Sequence, residues 1–177
     1  MGGFIALQFA LDYPEKLSAL VLMDTRSSGV GDVPEYVGLR RKLHQIAWTE
    51  GLGAAFEYEA ARNPMSREYF QKYPEQREIS RQKMLRTSVR GYVYAGEAIL
   101  EWASVTAQLP RIAVPTLVIV GEEDKFLRQP CEVIAAAIPG ARLVVIPGVG
   151  HSPQEEAPQI FNHHLLSFLS QVEQPAA

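Results

Sequence analysis

Hydrophobic and polar positions along this chain follow two different patterns. In residues 3–13, Phe4, Leu7 and Leu11 recur at spacings of three and four before Pro14, which predicts a helix that the proline ends. Residues 17–23 (LSALVLM) are instead nearly all apolar and run into Asp24 and Thr25, the pattern of a short strand buried on both faces of a parallel sheet. Residues 114–121 (VPTLVIVG) and 141–147 (ARLVVIP) repeat that pattern, the first followed by Glu122-Glu123-Asp124 and the second by Gly148-Val149-Gly150-His151. Between them, residues 128–138 read as a helix ending at Pro139-Gly140. Residues 158–172 close the chain as an amphipathic helix with Ile160, Phe161, Leu165, Phe168 and Leu169 on one face.

From residue 33 to 109 the pattern changes. Charges of both signs, aromatics and helix formers recur, punctuated by Gly51, Pro64, Pro74 and Gly91, and predict four or five amphipathic helices without a repeat period. The order helix, strand, helical insertion, strand, helix, strand, helix is that of a parallel α/β sheet. Its first recognisable element is a helix, so further strands are expected before it.

Composition narrows the chemistry. Of 177 residues 47% are hydrophobic and 21% charged, as in an ordinary globular protein with a packed core. With 17 basic and 20 acidic residues the net charge is −3, which speaks against broad binding to nucleic acid or to an anionic membrane and leaves small-molecule chemistry or protein contact, with a small-molecule substrate as the expected partner. The single cysteine, Cys131, excludes an intrachain disulfide framework, and no Cys/His cluster has zinc-ligand spacing. Apolar runs of about eight residues fall short of the roughly 20 that span a bilayer, and the opening residues lack a basic leader. A reducing, cytoplasmic compartment is expected.

Ligands of open α/β sheets bind beyond the carboxyl ends of the strands, where loops distant in sequence converge. Asp24, Asp124 and His151 each follow one of the three apolar runs, so they are expected along one rim. A carboxylate beside a histidine fixes the imidazole tautomer and stabilises the imidazolium, which makes an acid/base pair. Glycines flank His151 and leave room for its ring to project.

Met1-Gly2-Gly3-Phe4 entering a helix, then LSALVLMDT, VPTLVIVGEEDKFL and ARLVVIPGVGHSPQEEAPQIF, resembles over essentially the whole chain the C-terminal part of an esterase- or lactonase-like α/β-hydrolase-fold enzyme. The resemblance implies parallel strands 6 to 8 of that fold with flanking helices. Residues 1–32 would be hydrolase core, 33–109 an inserted helical cap and 110–177 the rest of the core. In that family a G-x-S-x-G nucleophile turn is followed by an acid and a histidine on later strand ends. Asp124 in V-G-x-x-D matches the acid, and His151 in G-x-G-H-x-P/S, 27 residues on, matches the histidine. Some members carry the acid one strand earlier, where Asp24 stands as the alternative acid. Its plainer role is hydrogen bonding in the loop or capping toward Thr25 and Arg26.

Gly2 would then be the last glycine of the nucleophile motif and Met1 the residue after the nucleophile, its backbone N–H one donor of the oxyanion hole. The nucleophile is expected before Met1, together with the first five strands, so the chain reads as a fragment. Ser28 and Ser152 sit in no strand-turn-helix elbow. No metal, nucleotide or organic cofactor is implied. Two classes of function compete: a hydrolase of small-molecule ester, lactone or related acyl bonds in the intact parent, and a truncated, non-catalytic fragment or interaction remnant. Carbon–carbon bond hydrolases share the motifs, and dehalogenases and epoxide hydrolases place an aspartate at the nucleophile position. His44, His163 and His164 are expected on helices with surface or half-buried packing, and Cys131 as a small core residue of its helix. The aromatics Tyr36, Trp48, Phe56, Tyr58, Tyr92, Tyr94 and Trp102 are expected mostly in core, with one or two lining a substrate pocket.

Overall fold

The apolar runs form the strands of a single parallel sheet in the order of the chain. In the computed structural model the elements are α1 (Gly2–Asp12), β1 (Leu20–Met23), α2 (Pro34–Thr49), α3 (Leu52–Arg62), α4 (Pro64–Lys72), α5 (Glu75–Leu85), α6 (Val89–Glu101), β2 (Thr116–Gly121), α7 (Arg128–Ala137), β3 (Arg142–Ile146), α8 (Pro153–Glu156) and α9 (Pro158–Val172). Residues 1–31 and 33–172 are described; Asp32 and residues 173–177, which the ranges 1–32 and 110–177 include, lie outside the described residues. No helix among them is long and apolar enough to cross a membrane.

Local chemistry trims the strands. β1 starts three residues later than the apolar run because Pro14–Lys16 turns as a 3-10 helix, closed by Leu17 N–H donating to the Pro14 carbonyl at 3.2 Å. Pairing opens only where Leu20 N–H donates to the Pro115 carbonyl at 2.9 Å. β2 begins after Pro115, which has no N–H to give to a ladder. Burial on both faces holds for the central strand β2 alone; β1 and β3, the edges, are buried at only some positions. Leu117, Ile119, Val144 and Ile146 share one face with Phe168 of α9. Leu20, Leu22, Val118 and Val120 alternate onto the other, while α1 packs on β1 and α7 on β2. Gly3 lets α1 approach the end of β1, since a Cβ there would lie 2.1 Å from Thr25 Oγ1. In α9 the predicted apolar face is only partly used: Phe168 is buried, whereas Ile160 and Leu169 are exposed.

The chain divides into two compact units, residues 1–28 with 103 onward, and residues 29–102. Residues 103–109, placed in the helical stretch by sequence, belong with the sheet. Val105 N–H donates to the Ser27 carbonyl at 2.9 Å, and the Ser27 and Thr106 hydroxyls meet at 2.8 Å.

The helical unit holds α2 to α6. Leu43, Ile46, Ala47, Leu52, Ala55 and Val93 form its buried core. Asn63 Oδ1 caps α4 by accepting from Met65 N–H at 3.1 Å, and Ser88 Oγ caps α6 by accepting from Gly91 N–H at 3.0 Å. Phe56 is buried, but Trp48 and Tyr94 are exposed and meet edge to face rather than in core. His44 is buried, with Nδ1 2.5 Å from Glu97 Oε1 and its ring against Gly96. A Cβ on Gly96 would lie 2.2 Å from His44 Nε2. Gly96→Ala therefore has to displace the ring and break the Glu97 contact, and is expected to cost the protein about 1–3 kcal/mol in urea unfolding.

Candidate active site

The loop after β2 is built to present one carboxylate oxygen. Glu122 N–H donates to the Ile146 carbonyl at 2.9 Å and Glu123 N–H to the Val149 carbonyl at 2.8 Å, tying this loop to the one after β3. Asp124 N–H turns back onto the Gly121 carbonyl at 3.2 Å. Asp124 Oδ1 then accepts from Phe126 N–H at 3.1 Å and Leu127 N–H at 3.0 Å, an aspartate's habit of bonding the backbone just ahead of it. Oδ2 is left for His151 Nδ1, at 2.7 Å.

His151 is held by its neighbours in sequence. Gly148 takes φ 67°, a left-handed turn that favours glycine. Glu156 Oε1 accepts from Gly150 N–H at 3.1 Å and Ser152 N–H at 3.2 Å, so a single carboxylate of α8 grips the backbone on both sides of the histidine. Gly121 permits the crossing of the two loops, because a Cβ there would lie 2.0 Å from the Gly150 carbonyl oxygen and 2.3 Å from that of Val149. For Glu156 the sequence signal is the acidic first turn behind Pro153. Gly121 is the glycine of V-G-x-x-D, but the loop it makes room for lies about thirty residues away, so its role as a crossing point is visible only in the fold.

The two partners divide their exposure. The Asp124 side chain is 1% exposed and that of His151 44%, with Nε2 free of hydrogen bonds among the described residues. Burial works against the Asp124 charge, but the hydrogen bond and charge of His151, with the Leu127 and Phe126 N–H groups, outweigh it and hold its carboxyl below the usual range. Desolvation likewise opposes the His151 imidazolium, and the hydrogen bond and charge of Asp124 overcome it, so the ring is more basic than an ordinary histidine.

Other predicted residues fall in different places. Asp24 is buried beside this pair, with Oδ1 accepting from Gly121 N–H at 3.1 Å rather than bonding His151. Capping toward Thr25 and Arg26 is not what its side chain does. Met1 caps the start of α1, its carbonyl accepting from Phe4 N–H at 3.0 Å. Ser28 Oγ is engaged by the Arg26 guanidinium at 2.8 Å. Burial pushes the Cys131 thiol up to about 12, and its sulfur lies on the Thr25 backbone, so it is a neutral packing residue. His163 and His164 meet edge to face on α9. Atoms of Asp24, Asp124 and His151 lie within 4.8 Å of one another. Between Asp124 and His151 the 2.7 Å contact is a charge-assisted hydrogen bond.

The profile of the Alpha/beta hydrolase family matches residues 1–163. The putative 2-succinyl-6-hydroxy-2,4-cyclohexadiene-1-carboxylate synthase of Bacillus subtilis is 28% identical over 176 residues, covering 97% of this chain and 64% of its own. The 2-hydroxy-6-oxononadienedioate/2-hydroxy-6-oxononatrienedioate hydrolase of Paraburkholderia phymatum is 31% identical over 181 residues, covering 97% and 60%. Among solved structures, a thermophilic esterase from Thermogutta terrifontis superposes with a TM-score of 0.83 at 32% identity, covering 98% of this chain and 63% of that one. This chain thus spans less than two thirds of the length of each.

Proposed function

This chain belongs to the alpha/beta hydrolase family, and from that premise we propose that it is the acid-and-histidine portion of a hydrolase of small-molecule ester, lactone or related acyl bonds. The observation that carries the reading is the 2.7 Å contact between Asp124 Oδ2 and His151 Nδ1 at the ends of neighbouring parallel strands. With the proton fixed on Nδ1, the lone pair of Nε2 points away from the acid and is open to a substrate or nucleophile. His151 takes the proton of a serine as that oxygen attacks the acyl carbon, and returns it to the leaving group. Asp124 orients the ring and stabilises the imidazolium without itself being protonated. The serine is supplied by polypeptide outside these 177 residues, and the backbone N–H of Met1, at the positive end of α1, donates to the oxyanion. The helical unit is assigned the choice of substrate.

Treating the complete polypeptide with a fluorophosphonate tests the nucleophile. A single phosphonyl adduct on a serine N-terminal to Met1 is the expected product by mass spectrometry. Undiminished ester turnover from a protein that takes up no label would move the nucleophile to another residue type.

A further inference from the structure

Asp24 is built more carefully than a loop aspartate needs to be. It is the non-glycine residue of positive φ, 37°, among the described residues, a conformation that aspartate and asparagine tolerate best. Its N–H donates to the Ile119 carbonyl at 3.1 Å and its Oδ1 accepts from Gly121 N–H at 3.1 Å, so backbone and side chain are both fixed on β2. Only 7% of the residue is exposed. Oδ2 is sealed from solvent with no hydrogen-bond partner among the described residues, while carboxylate oxygens of Asp24 and Asp124 and a ring nitrogen of His151 all lie within 4.8 Å.

Two buried carboxyl groups this close do not both ionise cheaply. Asp124 has the better claim to the charge, since it accepts two backbone N–H groups and the imidazole. Asp24 has a single backbone donor, and that on the other oxygen. We infer that Asp24 is a positioning residue of the acid–histidine pair: it keeps its proton while Asp124 is ionised, so the two carboxyl groups present one negative charge to His151. Ionisation of Asp24 then changes the charge facing the imidazole.

The groups around it are accounted for element by element. Asp124 faces it from the loop after β2, His151 from the loop after β3 and the neutral Cys131 thiol from α7. Burial, and then the Asp124 carboxylate, overcome the Gly121 N–H and the His151 charge and lift the Asp24 carboxyl to about 7. Asp24 in turn adds to the basicity of His151. Its effect on turnover rests on the proposed catalytic roles of Asp124 and His151, but its protonation does not.

The test therefore reads protons in the complete polypeptide. Carboxyl 13C and imidazole 15N spectra across pH are expected to show Asp24 titrating near 7, with a matching inflection in His151. Titration of Asp24 below pH 5 would overturn the inference, and needs no variant to observe. Asp24→Asn tolerates the same φ and keeps an oxygen for Gly121 N–H; it is expected to remove the inflection and to leave His151 titrating in a single step. An inflection that persists in the His151 ring of folded D24N would also overturn it. In the complete enzyme the same variant is expected to reduce the acid limb of kcat/KM to one ionisation. If the protein turns over no ester at all, the hydrolase reading fails while the spectra still decide the role of Asp24.

Discussion

Replacing His151 by alanine in the complete enzyme is expected to lower kcat for a small ester by about 10⁴-fold or more, with the fold intact. The ring is the group that both receives and returns the proton, and its partner Asp124 is 1% exposed and already committed to two backbone donors. Asp24, the other carboxyl group beside the pair among the described residues, is buried and, at about 7, partly protonated at neutral pH. The fold is expected to survive because the His151 side chain is 44% exposed and the backbone there is held by Glu156 rather than by the ring. Steady-state kinetics beside circular dichroism check both halves. A variant turning over ester at the parent rate would remove His151 from the mechanism. In the parent enzyme the acid limb should lie above that of an ordinary histidine, since Asp124 raises the pH at which His151 becomes the free base.

Why could so much of the strand-end cluster be read from sequence, and so little of its support? Asp124 and His151 end runs of β-branched residues, and neighbouring parallel strands bring their following loops together whatever the intervening chain does. Asp24 follows the same rule for position but not for partner. Its bond to Gly121 N–H crosses 97 residues of sequence, and its buried, unpartnered Oδ2 depends on how tightly three loops close over it. The strand limits were blurred for a different reason: residues 17–19 continue the apolar run, but pairing waits for the Pro115 carbonyl, and no local pattern reports a partner strand's register. His44 sits at helical spacing where a surface or half-buried histidine fits equally well, and only the missing side chain of Gly96, across the helical unit, gives its ring a buried place. On α9, Ile160 and Leu169 satisfy the amphipathic pattern and are nonetheless exposed, because β3, the strand α9 packs on, is an edge with only a narrow surface to offer.

The other large effect is expected from a single methyl group. Gly121→Ala puts a Cβ 2.0 Å from the Gly150 carbonyl oxygen and 2.3 Å from that of Val149, inside the van der Waals contact of main-chain atoms that cannot rotate away. Gly121 has an ordinary strand conformation, so alanine is strained by space alone and not by φ. Relief requires the 148–151 loop to move off the end of β2, which breaks the Glu123 N–H bond to the Val149 carbonyl and carries His151 away from Asp124. The expected cost is on the order of 3 kcal/mol in urea unfolding, at the upper end of what overpacking incurs. The His151 Nδ1 proton resonance, the signature of the Asp124 hydrogen bond, should weaken or vanish with it. Gly38→Ala makes the control, because a Cβ at Gly38 in α2 meets nothing within 4 Å and should neither destabilise the protein nor disturb the Nδ1 proton. If Gly121→Ala proved as stable as Gly38→Ala with the Nδ1 proton in place, the close crossing of the two loops could not be what holds the acid and the histidine together.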